Sequence, residues 1–120
     1  MPHPEEPHYA RIAENRFWRS FHHAFEGIMY ATRTQFNMRV HLAIAALVLV
    51  ATLLLRLDRP YVIAVVVLIA LVLSLELLNT AIEAIVDLLT VTHHPLAKTA
   101  KDAAAGAVLV GSIGAALAGY

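Results

Sequence analysis

Residues 61–89 read YVIAVVVLIALVLSLELLNTAIEAIVDLL. From Tyr61 to Leu75 there is no Lys, Arg, Asp or Glu; then Glu76, Asn79, Thr80, Glu83 and Asp87 follow at helical spacing. At about 100° per residue these five side chains share one face roughly 100° wide, with Leu77, Leu78, Ile82, Ile85 and Leu89 opposite. Such a segment reads as a membrane-spanning helix whose second half carries a polar stripe.

Two more stretches lack charge, Leu42 to Leu55 and Ala103 to Tyr120. Hydrophobic residues make up 59% of the 120 and charged residues 15%, against about 45–50% and 25% in soluble domains. Mean hydropathy is +0.66. A domain this small has too little interior to bury so much apolar side chain in water. The composition excludes a soluble globular domain and a disordered chain. The absence of Cys excludes a disulfide framework, and nine basic against nine acidic residues give no footprint for nucleic acid.

The expected architecture is an all-α integral membrane protein. Residues 1–13, with three prolines among the first seven, read as a flexible tail without the apolar core of a signal peptide. Residues 14–36 space Phe17, Phe21, Phe25, Ile28, Thr32 and Phe36 along one helical face between arginines, as in an amphipathic interfacial helix. Residues 37–120 form the transmembrane domain, with spans at about 40–57, 61–89 and 97–120. Arg56, Asp58, Arg59 and Pro60 turn the chain between the first two spans, and Thr90 to Pro95 breaks it before the third. Arg11, Arg16, Arg19, Arg33, Arg39, Lys98 and Lys101 lie on one side, against Arg56 and Arg59 on the other. That bias puts the amino end and the 90–102 loop in the cytoplasm of a plasma-membrane protein, and the carboxyl terminus outside. In the third span Ala103, Ala107, Gly111, Ala115 and Gly119 recur every four residues, a pattern of close helix approach, part of it expected between subunits.

Depth separates the carboxylates. Counting about 1.5 Å per residue from Tyr61, Glu76 lies roughly 22 Å across a 30 Å core, inside the cytoplasmic leaflet. Glu83 and Asp87 reach its aqueous boundary. Acidic groups within a span face a protein interior and mark function. The dry one suits a general base, and the wet ones suit Mg²⁺ and phosphate. Lys98, Lys101 and Asp102 open the third helix at the same level; the lysines serve either as phosphate partners or as snorkelling anchors. Gly106 to Ser112 imitates part of a phosphate loop without its lysine. His22 and Glu26, four apart, read as a solvated polar pair.

The run Glu76-Leu-Leu-Asn79-Thr-Ala-Ile-Glu83-Ala-Ile-Val-Asp87, followed by His94-Pro-Leu-Ala-Lys98-Thr-Ala-Lys101-Asp102, resembles the small prokaryotic diacylglycerol kinase family, in the wording of its undecaprenol kinase branch. Ala24-Phe25-Glu26-Gly27-Ile28 and Asn37-Met38-Arg39-Val40-His41 extend the resemblance to about residues 16–120. It implies a homotrimer with composite active sites, transferring the γ-phosphoryl group of ATP to a lipid hydroxyl with Mg²⁺. By motif, Glu76 becomes the base at the lipid hydroxyl and Asn79 positions the reacting groups. Glu83 and Gln35 take the metal. Arg16, Glu83, Asp87, His94, Lys101 and Asp102 serve the nucleotide, and Glu76 and Lys101 also meet the lipid. Gln35 departs from the family's usual glutamate: an amide oxygen can ligate Mg²⁺ but brings no charge, so either metal affinity is weaker or Glu26 or a water compensates. Undecaprenol is the expected substrate and diacylglycerol the alternative. A proton-coupled exporter using Glu76, or a structural oligomer, are the non-enzyme alternatives.

Overall fold

The computed structural model describes residues 8–90, 92 and 94–119. These form four helices, α1 (His8–Thr34), α2 (Phe36–Leu54), α3 (Arg59–Leu89) and α4 (Pro95–Gly119), with no strand among the described residues. The last three are long and apolar enough to cross a membrane.

The breaks between helices have local causes. Gln35 alone separates α1 from α2, extended at φ −110° and ψ 113°. The Arg39 guanidinium, one turn into α2, donates to the carbonyls of Thr32 (3.4 Å) and Arg33 (3.1 Å), satisfying acceptors that the end of α1 leaves open. α2 stops at Leu54 because Arg56 turns left-handed, at φ 53°. Pro60 sits in the first turn of α3, where a missing N–H is harmless. Pro95 opens α4 in the same way, and His94 caps it by accepting the Leu96 N–H on Nδ1 at 3.1 Å.

These bounds shift the sequence reading in two places. Helix α1 begins at His8, inside the segment read as a tail, so only residues 1–7 of that tail lie outside the described residues. The spans become 36–54, 59–89 and 95–119, because the left-handed turn and the two prolines set their ends. Tyr120, the last residue of the expected third span, also lies outside the described residues.

The chain divides into a unit of residues 1–30 and one of residues 31–120. In the first, Phe17 meets Trp18 and Phe21 edge to face at 5.5 and 5.2 Å, all three rings exposed. His22 and Glu26 form the expected exposed pair at 2.8 Å. In the second, α3 packs against both α2 and α4. That unit is inside out by the standard of soluble proteins. Thr52, Glu76, Asn79 and Thr80 are buried, while most large apolar side chains of the spans face outward. Polar groups withdraw because lipid offers them no hydrogen bonds, whereas lipid tails solvate Leu and Val as well as protein does. Thr52, Ser74, Thr80 and Thr90 each donate to the carbonyl four residues back, so their hydroxyls are satisfied within the helix.

The small-residue series of α4 does not form one packed seam. A step of four residues drifts about 40° around a helix, so five members spread over nearly half the circumference. The face of α4 that is buried instead carries Ala104 and Val108. Gly111 alone among the described glycines approaches a neighbour closely: a Cβ there would strike the end of the Leu75 side chain, whereas Gly106, Gly114 and Gly119 face open space.

Candidate active site

The polar stripe of α3 lies over the seam between α2 and α4, and its two ends differ. At the upper end Glu76 is 2% exposed and Asn79 6%. With Asn37 and His41 of α2 and Ala105, Val108, Leu109 and Ser112 of α4 they line a cleft of about 310 Å³. Glu76 Oε1 lies 2.9 Å from Nδ1 of His41. That is an ion-pair distance, although the ring N–H is not aimed well enough for a hydrogen bond. A small turn of the imidazole would complete the bond. Glu76 Oε2 and Asn79 Oδ1 are buried acceptors with no hydrogen-bond partner among the described residues. Two unpartnered acceptors one turn apart call for a donor from outside the chain, because a buried polar group left unmade is unfavourable by about 1–3 kcal/mol.

A second, apolar groove of about 350 Å³ runs between Ile44 and Val48 of α2, Leu68 and Val72 of α3, and Ala115 of α4. His41 and Ser112 line both spaces. A polar cleft thus adjoins a groove of hydrocarbon character, with His41 and Ser112 as their common wall, an arrangement that suits an amphiphile with a hydroxyl head and an apolar tail.

At the lower end the carboxylates are satisfied by the chain itself. The Gln35 amide nitrogen donates to Glu83 Oε2 at 3.1 Å, and Lys101 Nζ holds Asp87 Oδ1 at 2.6 Å. Lys98 and Asp102 pair at 2.6 Å, one turn apart on α4. No group of three or more His, Asp or Glu is placed to hold a metal ion among the described residues. Glu83 and Gln35 nevertheless suit Mg²⁺, which commonly takes one or two protein oxygens and fills its other positions with water and phosphate. The amide nitrogen faces Glu83 because a lone carboxylate attracts a donor; turned over, the amide presents its oxygen.

The family profile described as prokaryotic diacylglycerol kinase matches residues 22–120. The chain belongs to this family. It is 53% identical over 96 residues to an undecaprenol kinase of Bacillus subtilis, across 80% of this chain and 78% of that one. It is 47% identical over 102 residues to a diacylglycerol kinase of Synechocystis, across 83% of this chain but only 58% of that longer relative. Members of the family are membrane lipid kinases, and so is this chain; a kinase implies ATP as co-substrate.

Of the residues expected to serve a kinase site, the fold brings Glu76 and Asn79 into one cleft, Gln35 onto Glu83, and Lys101 onto Asp87. Asp102 is turned to Lys98, and His94 is engaged in capping α4. Arg16 belongs to the first unit, exposed, its carbonyl accepting from Ser20 at 2.9 Å. Glu26, considered as a substitute metal ligand, is occupied by His22. Sequence reasoning missed Asn37, His41 and Ser112. The signal for the first two was present: Asn37 and His41 are four apart, polar, and on one face at the start of an apolar span.

Proposed function

We propose that this chain phosphorylates undecaprenol, with ATP as donor and Glu76 as general base. The observation that carries the reading is the pair of unpartnered buried acceptors, Glu76 Oε2 and Asn79 Oδ1, in a polar cleft that adjoins an apolar groove. A lipid hydroxyl supplies the missing donor and its hydrocarbon chain fills the groove. Glu76 then takes the hydroxyl proton as the oxygen attacks the γ-phosphorus, the bond from that phosphorus to the bridging oxygen breaks, and ADP leaves. Asn79, its amide turned so that Nδ2 donates to the hydroxyl oxygen, holds the hydroxyl in line.

Toward the nucleotide, Glu83 and the Gln35 amide oxygen would hold Mg²⁺. When bound, the ion neutralises charge on the transferring phosphates. Lys101, close to Asp87, can swing to phosphate; Asp102 and Lys98 keep that end of α4 ordered, and His94 borders the nucleotide side. Undecaprenol is favoured by the Bacillus relative, and diacylglycerol, named for the cyanobacterial one, is the alternative. Membership of the family supports a homotrimer with composite sites, and the three apolar helices support a place in the plasma membrane. Seven basic residues against two support a cytoplasmic active site and an outward carboxyl terminus.

The test is phosphoryl transfer from labelled ATP by the purified, detergent-solubilised protein, offered undecaprenol and diacylglycerol in parallel with and without Mg²⁺. Preferential labelling of undecaprenol in the presence of Mg²⁺ is expected. Preferential labelling of diacylglycerol would overturn the substrate and keep the mechanism.

A further inference from the structure

The two oxygens of Glu76 are in different circumstances. Oε2 is buried without a partner, whereas Oε1 lies 2.9 Å from His41 Nδ1. His41 enters from α2, and its other ring nitrogen, Nε2, lies 3.4 Å from the Ser112 hydroxyl on α4. One imidazole, carried by α2, thus stands within reach of both α3 and α4, and a small turn of the ring would complete its bond to Glu76. The tautomer follows from its neighbours: a carboxylate only accepts, so Nδ1 carries the proton, and Nε2 accepts from the Ser112 hydroxyl. Among the residues that line the cleft, Glu76 and His41 are the ionisable ones; Asn37 and Asn79 on α2 and α3 and Ser112 on α4 are neutral.

We propose that His41 is a positioning residue for the phosphoryl-transfer reaction, holding Glu76 by Oε1 so that Oε2 stays turned into the cleft toward the lipid hydroxyl. This rests on Glu76 being the general base. A free carboxylate on a long, flexible glutamate samples rotamers in which neither oxygen faces the substrate, and a base works only within hydrogen-bond reach of the proton it takes. His41 restricts that sampling from the side remote from the substrate. Ser112 in turn keeps the ring from flipping, as outer partners do for ligating histidines at metal sites.

The chemistry prescribes the test, because Asn and Gln each reproduce one ring nitrogen. Asn places its amide N–H near Nδ1; Gln places its own near Nε2. His41→Leu, His41→Asn and His41→Gln are compared in the detergent assay, with KM for lipid and ATP measured separately from kcat. A general base contributes about 10²–10⁴-fold, and losing its positioning partner forfeits part of that. The expected result is a kcat lowered roughly tenfold or more in His41→Leu and His41→Gln, with both KM values within about twofold, and substantial recovery in His41→Asn. Unchanged kcat in His41→Leu, or equal loss in Asn and Gln, would overturn the proposal. Should His41→Leu fail to assemble, the Asn-against-Gln comparison decides the question by itself. Glu76→Gln, assayed alongside, separates the two readings: wild-type turnover there removes the base assignment itself, whatever His41 does.

Discussion

The two ends of the polar stripe on α3 are one helical face treated in opposite ways. Glu76 and Asn79 are buried with acceptors that the chain leaves unanswered, while Glu83 and Asp87, two and three turns on, are answered by Gln35 and Lys101. Exposure follows the same gradient, from 2% for the Glu76 side chain to 66% for Asp87. A buried carboxylate without water is expensive and is kept where chemistry needs it. One at the water boundary is inexpensive, and its partners can be exchanged for ligands at small loss. The upper end suits a reaction centre and the lower end suits exchangeable binding.

The largest expected effect comes from the upper end. Glu76→Gln should lower kcat about 10²–10⁴-fold, with the oligomeric state by size exclusion unchanged. Altered assembly with proportionate activity would instead give Glu76 a structural role and erase the contrast between the ends. Asp87→Asn at the lower end should act chiefly on ATP: freeing Lys101 for phosphate should lower the KM for ATP by roughly threefold to tenfold, with stability little changed because the ion pair is exposed. A loss of kcat with unchanged KM would place Asp87 at the reaction centre.

Gln35→Glu converts the satisfied lower end into two facing carboxylates. Like charges about 4 Å apart repel by about 1 kcal/mol even in bulk water. The melting temperature should therefore fall in chelator and recover with Mg²⁺, and the Mg²⁺ titration of activity should shift to lower concentration. An unchanged titration would exclude this pair as the metal site. The smallest effect is expected away from the stripe. Arg56→Gly removes a left-handed non-glycine residue, worth about 1 kcal/mol at most, and thermal stability should rise slightly or hold with activity unaltered. A clear loss of stability would show that the Arg56 side chain anchors the turn.

Much of the stripe was legible because hydropathy and helical period are local. Glu76, Asn79, Thr80, Glu83 and Asp87 share a face whatever packs against it, and fifteen uncharged residues before them leave no reading but a span. The facing residues were less legible. Asn37 and His41 stood out only as polar residues in an apolar helix, and Ser112 only as a fragment of a false phosphate loop. Of the glycines in the α4 series only Gly111 meets a neighbour closely within the chain, because each four-residue step overshoots a full turn and turns the other members to different directions.

The sequence by itself therefore determined a chain of long helices apolar enough to cross a membrane, and the family of lipid kinases to which its motifs belong. Those properties rest on solvent preference and backbone geometry, which each segment carries alone. Only the tertiary structure decided that His41 reaches Glu76, that Gln35 turns its nitrogen to Glu83, and that Lys101 crosses to Asp87. Each of those pairings joins residues distant in sequence, and each depends on how far one helix is slid and rotated against the next. That register is set by side-chain packing along α3, where an ångström of slip would exchange one partner for another.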